Sequence, residues 1–172
     1  MAIAEEGIAL RREGVPGEIL LLNHSDPADL PVHRSYGLTP ALYDMVQARG
    51  FAEAARALSD PVPVHLKLDT GMGRLGFLPE ELGELAALLR SEPRLRVAGT
   101  FTNFGSADER SSPETDRQLQ RMRSSLDALR SSGVEPGLVH LANSAAILSR
   151  PDTWFDAVRP GQPERSAPAA RQ

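Results

Sequence analysis

The sequence predicts an α/β fold in which a parallel sheet curls into an incomplete (β/α)8 TIM-type barrel. Short apolar segments alternate with helical segments of roughly 10–20 residues, which is typical of βαβ units. Polar residues follow nearly every predicted strand, and this favours a barrel, where all strand ends converge, over a doubly wound sheet with one crossover point. A complete barrel needs roughly 250 residues. Because the chain has 172, we expect most of a barrel and not a whole one.

The amino-terminal part is predicted to begin with a helix and a short strand. Apolar residues at helical spacing predict a helix over Met1–Glu13, and the apolar run Glu18–Leu22 predicts a strand. Val32–Tyr36 is a weaker strand candidate. The pair Thr39–Pro40 has the pattern of a helix start, with Thr39 as N-cap, so a helix is expected to run from there to about Leu58.

The remainder of the chain continues the alternation. Its predicted elements are, in order, a strand, a helix, a strand, a longer helix, a strand, a short helix and the start of a last strand: Val62–Leu68, Pro79–Arg90, Arg94–Asn103, Ser112–Ser131, Gly137–Leu141, a helix beginning at Asn143, and Ala157–Arg159. The chain therefore has five or six predicted strands. The polar groups at their carboxyl ends are Asn23–His24, Lys67–Asp69, Thr102–Asn103, Asn143–Ser144 and Arg159.

Composition excludes several classes of function. The net charge of −4, without any run of basic residues, argues against nucleic acid or an anionic membrane as a partner. The absence of cysteine excludes disulfides, a thiol nucleophile and zinc–thiolate sites. No apolar run approaches the ~20 residues of a membrane helix and no signal-peptide pattern follows Met1, so we expect a soluble, cytoplasmic protein. The four histidines lack metal-ligand spacing, and no metal is expected.

One segment carries most of the functional information. In VHLKLDTGMGRLGF (Val64–Phe77), a buried strand ends in Lys67 and Asp69, followed by a glycine-rich turn and Arg74. Polar groups at the carboxyl end of a buried strand are where α/β proteins usually bind their ligand. The segment therefore predicts a small-molecule site.

This segment and three later ones resemble a known family. GTFTNFGSADE (Gly99–Glu109), VHLANSAAIL (Val139–Leu148) and AVRPG (Ala157–Gly161) follow in the order and spacing of alanine racemases, pyridoxal-phosphate enzymes with an amino-terminal (β/α)8 barrel. The resemblance covers about residues 1–161 and implies a partial pyridoxal-phosphate-binding barrel domain. Residues 162–172 are expected to form an irregular tail.

The resemblance implies a cofactor site at the barrel mouth. Ser144 corresponds to a phosphate ligand, with Asn143 beside it and Gly161 as a backbone contact, although Asn143 or Ser144 could equally serve as a helix cap. Arg159 corresponds to the arginine facing the pyridine nitrogen; a salt bridge at the barrel mouth is the alternative. Asn103 stands where the family most often has a histidine near the cofactor ring.

Two further residues correspond to substrate and support positions. Arg74 matches an arginine that contacts the phenolic oxygen of the cofactor and the substrate carboxylate, whereas a lone arginine after a turn is usually a solvated surface residue. Lys67 matches a lysine that is often carbamylated and steadies that arginine. Unmodified, Lys67 would either repel Arg74 or pair with Asp69.

The resemblance also implies what the chain lacks. Nothing matches the Schiff-base lysine of the first barrel strand, Lys67 being the one lysine present, and the catalytic tyrosine of the carboxyl-terminal domain has no counterpart. We therefore expect a fragment, truncated at both ends and inactive alone, that carries barrel strands three to eight. Its parent would be a homodimer that interconverts L- and D-alanine through a pyridoxal-phosphate aldimine, for D-alanine biosynthesis and the cell wall. The alternatives are another amino-acid racemase of this fold and a non-catalytic remnant.

Overall fold

The computed structural model describes residues 3–105, 107 and 113–161, and five parallel strands form its centre. Each strand pairs with the next one in sequence, so the sheet order is the chain order. The sheet is curled like half of a barrel. The strands are β1 (Ile19–Leu21), β2 (Leu38–Leu42), β3 (Val62–Lys67), β4 (Leu95–Phe101) and β5 (Leu138–His140).

Helices connect the strands, as the right-handed crossovers of parallel strands require. They are α1 (Ala4–Arg12), α2 (Leu30–Ser35), α3 (Met45–Arg56), α4 (Leu82–Ser91), α5 (Pro113–Ser131) and α6 (Ser144–Ser149). Short 3-10 turns at Pro27–Asp29 and Pro79–Glu81 lead into α2 and α4, and another at Pro151–Thr153 follows α6. Within the described ranges, no helix is long and apolar enough to cross a bilayer.

The two faces of the sheet have different chemistry because side chains alternate along a strand. In β3, Val62, Val64 and Leu66 enter the main apolar cluster with the helices. The intervening residues His65 and Lys67 are also buried, but they belong to the opposite, concave face. The convex face therefore supplies the apolar core, and the concave face carries polar groups.

An irregularity in β4 moves an aromatic ring to the concave face. Val64 pairs with Val97 and His65 pairs with Gly99, so Ala98 is one residue extra. Since one additional residue reverses the side-chain alternation, Val97 packs against the core whereas Phe101 lies against the histidines of the concave face.

The structure confirms most of the predicted elements and corrects two. Val32–Tyr36 is not a strand, because Val32 and its neighbours continue the helical segment that begins with the Asp26 cap. Thr39–Pro40 does not start a helix; both residues are buried inside β2. The helix α3 begins later, where Asp44 Oδ1 accepts a hydrogen bond from Gln47 N at 2.7 Å.

At the carboxyl end, the predicted strand Ala157–Arg159 is represented by one parallel bridge between His140 and Ala157. The predicted tail 162–172, like residues 1–2 and Ser112, lies outside the described residues.

The buried core predicts a large effect of truncating a helix residue. Leu85 of α4 is fully buried, and Leu85→Ala should lower the free energy of unfolding by about 2–5 kcal/mol, because it leaves a cavity. Leu148→Ala is the matched control, since Leu148 is 85% exposed in α6 and should change stability by less than about 0.5 kcal/mol. Urea unfolding measures both variants; equal effects would contradict this packing.

Candidate functional site at the carboxyl edge of the sheet

Arg159 joins the carboxyl ends of β4 and β5. Its Nη1 donates to His140 Nδ1 and to the His140 carbonyl oxygen, both at 2.7 Å. Its Nη2 donates to the carbonyl oxygens of Thr102 (2.7 Å) and Leu141 (3.2 Å) and to Asn103 Oδ1 (2.6 Å). The guanidinium is therefore held at a fixed place by acceptors from two neighbouring strands.

The acceptors of Arg159 are neutral, and no ion pair joins it to a carboxylate within the described part of the chain. Burial lowers its pKa to about 10, so it stays charged at neutral pH. Its Cζ lies 5.2 Å from the centroid of the Phe101 ring. Among the described residues, Nε is the one donor atom of this guanidinium without a hydrogen-bond partner.

Ser144 at the start of α6 contacts Gly161, which lies two residues after Arg159. The Gly161 N–H donates to Ser144 Oγ at 2.8 Å. Asn143 is the N-cap of α6, where its Oδ1 accepts from Ala146 N at 3.1 Å. The capping role thus belongs to Asn143. Within the described residues, the Ser144 O–H donates to no partner, so this donor is available to a ligand.

Lys67 and Arg74 place two more cations near the same edge. Burial lowers the pKa of Lys67, and the charges of Arg74 and Arg159 lower it further, while Asp69 opposes them. Asp69 Oδ1 accepts two backbone N–H groups of the glycine turn, at 2.8 and 3.1 Å. No carboxylate in the described ranges pairs with Lys67. An unmodified Lys67 therefore has no ion pair with Asp69 among the described contacts, and the charge of Arg74 contributes to lowering its pKa.

Arg74 itself is exposed to solvent. Its guanidinium has no hydrogen bond or ion pair within the part of the chain that the structure describes. Its donors are therefore available to a ligand.

Sequence reasoning did not identify Gln118, a fully buried residue of α5. Its Nε2 donates to Thr70 Oγ1 (3.3 Å) and to the Asn103 carbonyl oxygen (3.1 Å), and its Oε1 accepts from Gly105 N (3.0 Å). The Thr70 and Thr102 hydroxyls lie 2.9 Å apart. Gln118 thus fixes the loops after β3 and β4. A single glutamine on a polar helix gives no sequence signal for this role.

Two of the four histidines lie apart from the site, and the other two contact each other on the concave face. His24 Nδ1 contacts the Tyr43 hydroxyl, and His33 is buried, stacked on Phe51 with both ring nitrogens unpartnered. His65 Nδ1 and His140 Nε2 lie 2.9 Å apart. The described residues contain no group of three side chains that could hold a metal ion.

A cavity of about 500 Å³ opens on the concave face. It lies between β1 and the segment Ala157–Arg159, and its polar lining includes His65, His140 and Glu18. A curled parallel sheet with a fixed guanidinium, a hydroxyl paired with a backbone N–H, and a second available arginine defines a barrel segment whose mouth suits a small anionic ligand.

Comparison with known proteins gives the family. The alanine racemase N-terminal domain matches residues 1–162, and the chain belongs to that family. It is 38% identical to the alanine racemase of Symbiobacterium thermophilum over 161 residues, which is 94% of this chain and 43% of that protein. The chain thus spans less than half the length of the curated relatives it matches.

Solved structures agree with this assignment. Alanine racemase from Clostridium difficile 630 has a TM-score of 0.86 and 32% identity, over 94% of this chain and 42% of that one. The Bacillus anthracis enzyme with bound L-Ala-P has a TM-score of 0.84 and 32% identity, over 91% of this chain and 41% of that one.

The Gln118 contacts predict a stability effect. Gln118→Leu removes three hydrogen bonds and leaves Gly105 N–H without its acceptor, so the free energy of unfolding should fall by about 1–3 kcal/mol. Gln120→Leu is the matched control, because Gln120 is exposed on the same helix. Urea unfolding distinguishes the two; a neutral Gln118→Leu would contradict the described network.

The buried histidines predict a pH-dependent stability. Burial lowers the pKa values of His33, His65 and His140, the last to about 3. The unfolded chain therefore binds protons more readily than the folded one, and stability should be full above about pH 6.5 and fall as the pH drops towards the folded-state values. Each histidine contributes a slope of up to about 1.4 kcal/mol per pH unit.

Urea unfolding between about pH 5 and 7 measures this slope, since most carboxylates titrate below that range. His33→Leu should make the slope shallower, because one of the three buried rings is removed. A stability that does not change over this range would refute the neutral state of these rings.

Proposed function

We propose that residues 1–161 form strands three to eight of the barrel of an alanine racemase, and that their carboxyl edge holds pyridoxal 5'-phosphate. The observation that carries this proposal is the Arg159 guanidinium, fixed through both Nη atoms while its Nε keeps a free donor. Such an arrangement fits the single acceptor nitrogen of a pyridine ring. The cavity beside β1 would be closed in the whole enzyme by the first two strands.

The other predicted site residues would each contact a different part of the cofactor or position a residue that does. The hydroxyl of Ser144 and the backbone of Gly161 would hold the phosphate, and Asn143 orders the helix that carries Ser144. Asn103 would act indirectly, because its Oδ1 accepts a hydrogen bond from Arg159 Nη2 and so helps to position the guanidinium. Arg74 would contact the phenolic oxygen and the carboxylate of the amino-acid substrate, because a charged fork suits both groups.

When bound, pyridoxal phosphate supplies an electron sink for the electron pair left by the α-proton. The contribution of Arg159 is to keep its own proton, since a pKa of about 10 leaves the guanidinium charged at neutral pH. It would therefore donate a hydrogen bond to the ring nitrogen and keep its proton. A ring nitrogen that stays unprotonated would be a weaker electron sink, which suits racemisation over side reactions.

Lys67 supports Arg74 in this proposal. Its lowered pKa increases the fraction of neutral amine. The neutral amine can add to CO2 and lose a proton, which gives a carbamate anion. That anion would pair with Arg74, whereas the unmodified lysine repels it.

The reaction itself requires groups from elsewhere in the whole protein. We propose that another segment supplies the lysine that holds the cofactor, and that a carboxyl-terminal domain, contributed by the partner in a homodimer, supplies the tyrosine. The described residues would then bind and orient both the cofactor and the substrate.

Cofactor binding tests the proposal directly. Pyridoxal phosphate titrated into the full chain should bind and be displaced by inorganic phosphate, as followed by Trp154 fluorescence. Ser144→Ala should weaken binding about tenfold, the loss of about one hydrogen bond. Ser149→Ala, which removes a hydroxyl at the other end of α6, should bind like wild type. Equal effects of the two substitutions would refute the phosphate assignment.

A chimera tests the activity. Residues 1–161 would replace the matching segment of the Symbiobacterium thermophilum alanine racemase, and interconversion of L- and D-alanine would be measured. The chimera should racemise alanine, and Arg159→Gln within it should lower kcat by about 10²–10³, as for loss of a charged donor at a reacting group. A folded chimera that binds the cofactor but racemises a different amino acid would correct the substrate.

A further inference from the structure

The geometry points to a directional hydrogen-bond chain that runs from Arg159 through His140 to His65, with the Glu18 carboxylate facing its end, and in which His65 and Glu18 are positioning residues for the arginine. Its relevance to the cofactor rests on the proposed function of Arg159. The atoms involved lie on the concave face, on elements far apart in the sequence.

The direction of the chain starts at the guanidinium. Arg159 Nη1 lies 2.7 Å from His140 Nδ1. A guanidinium can only donate, so His140 Nδ1 must carry a lone pair and no proton. The neutral ring then has its proton on Nε2, which faces His65 Nδ1 at 2.9 Å.

The same reasoning fixes the second ring. His65 Nδ1 accepts from His140, so the His65 proton is also on Nε2. A doubly protonated His65 would direct an N–H at His140 Nε2, and His140 would then need lone pairs on both nitrogens and a negative charge. Both rings are therefore neutral Nε2–H tautomers as long as Arg159 is in place.

Glu18 ends the chain at the edge of the cavity. Its Oε1 lies 3.3 Å from His65 Nε2, although the N–H is not aligned with it as in a hydrogen bond. The Glu18 side chain is half-exposed, so it can adjust to the ring. The carboxylate thus faces the end of the chain opposite the positive charge of Arg159, and the attraction between N–H and carboxylate favours the same direction of donation throughout.

Two neighbours hold the rings in place. Phe101 stacks on His140, with ring centroids 4.9 Å apart and 8° between the planes. Gly99 leaves the space that His65 occupies, because a Cβ there would lie 2.6 Å from His65 Nδ1. The Lys67 ammonium group lies over the Phe101 ring, 5.9 Å from its centroid. The rings can therefore neither tilt nor exchange their nitrogens without displacing a neighbour.

Nitrogen-15 NMR of the histidine rings in the full chain tests this assignment without any cofactor. Near neutral pH, both His65 and His140 should show a protonated Nε2 and an unprotonated Nδ1. An Nδ1–H tautomer or a doubly protonated ring at either residue would overturn the proposal, and this measurement requires no variant.

Variants test how the chain is coupled. Arg159→Met should convert both rings to tautomer mixtures, although His65 does not contact Arg159. Glu18→Leu should shift the Nε2–H signal of His65 and broaden the Arg159 side-chain signals, and Glu18→Gln, which keeps an acceptor oxygen, should restore them in part. Glu13→Leu, at an exposed position five residues earlier, should change neither.

If Glu18→Leu leaves the His65 and Arg159 signals unchanged, Glu18 has no positioning role. If the wild-type chain does not bind pyridoxal phosphate but both rings show the assigned tautomers, the proposed function is refuted and the hydrogen-bond chain still stands.

Discussion

The buried guanidinium of Arg159 is the interaction on which the carboxyl edge of this sheet depends. Burying a charge without a counter-ion is costly unless hydrogen bonds replace water. Here three carbonyl oxygens, an amide oxygen and a ring nitrogen do so, and they come from the ends of β4 and β5. Each of these acceptors would be left without its donor if Arg159 were removed. The arginine is therefore both a structural tie and the reason why the mouth carries a fixed positive charge.

The extra residue in β4, Ala98, places an aromatic ring next to the Arg159 guanidinium. Without Ala98, the alternation of β4 would continue and Phe101 would belong to the helix-facing side. With it, the Phe101 ring stacks on His140, and the Arg159 guanidinium and the Lys67 ammonium group lie over the same ring. The absence of a side chain at Gly99 follows from the same shift, since His65 occupies that space.

The elements that sequence patterns predicted correctly are those whose local signals have one meaning. The strand β3 is a short segment rich in apolar residues that ends in a polar, glycine-rich turn, and α5 is a long polar helix beginning at a proline, so neither has a competing interpretation. Thr39–Pro40 fits a helix start and equally a buried strand, and only pairing with β1 and β3 decides between them. The site residues came from the family resemblance. Glu18, His65 and Gln118 could not be found because their roles depend on contacts between distant segments; His65 and His140 are 75 residues apart.

The charge balance of the mouth explains why it would select an anion although the chain as a whole carries −4. Lys67, Arg74 and Arg159 are close enough for the charges of the two arginines to affect the lysine. Asp69, two residues after Lys67, already accepts hydrogen bonds from two backbone N–H groups. Burial lowers the pKa of Lys67, and the positive charges of Arg74 and Arg159 lower it further. A bound phosphate or carboxylate would relieve that repulsion, and so would a carbamate on Lys67 itself. Binding of an anion and modification of Lys67 are thus two ways of neutralising the same excess of positive charge, and each should weaken the tendency towards the other.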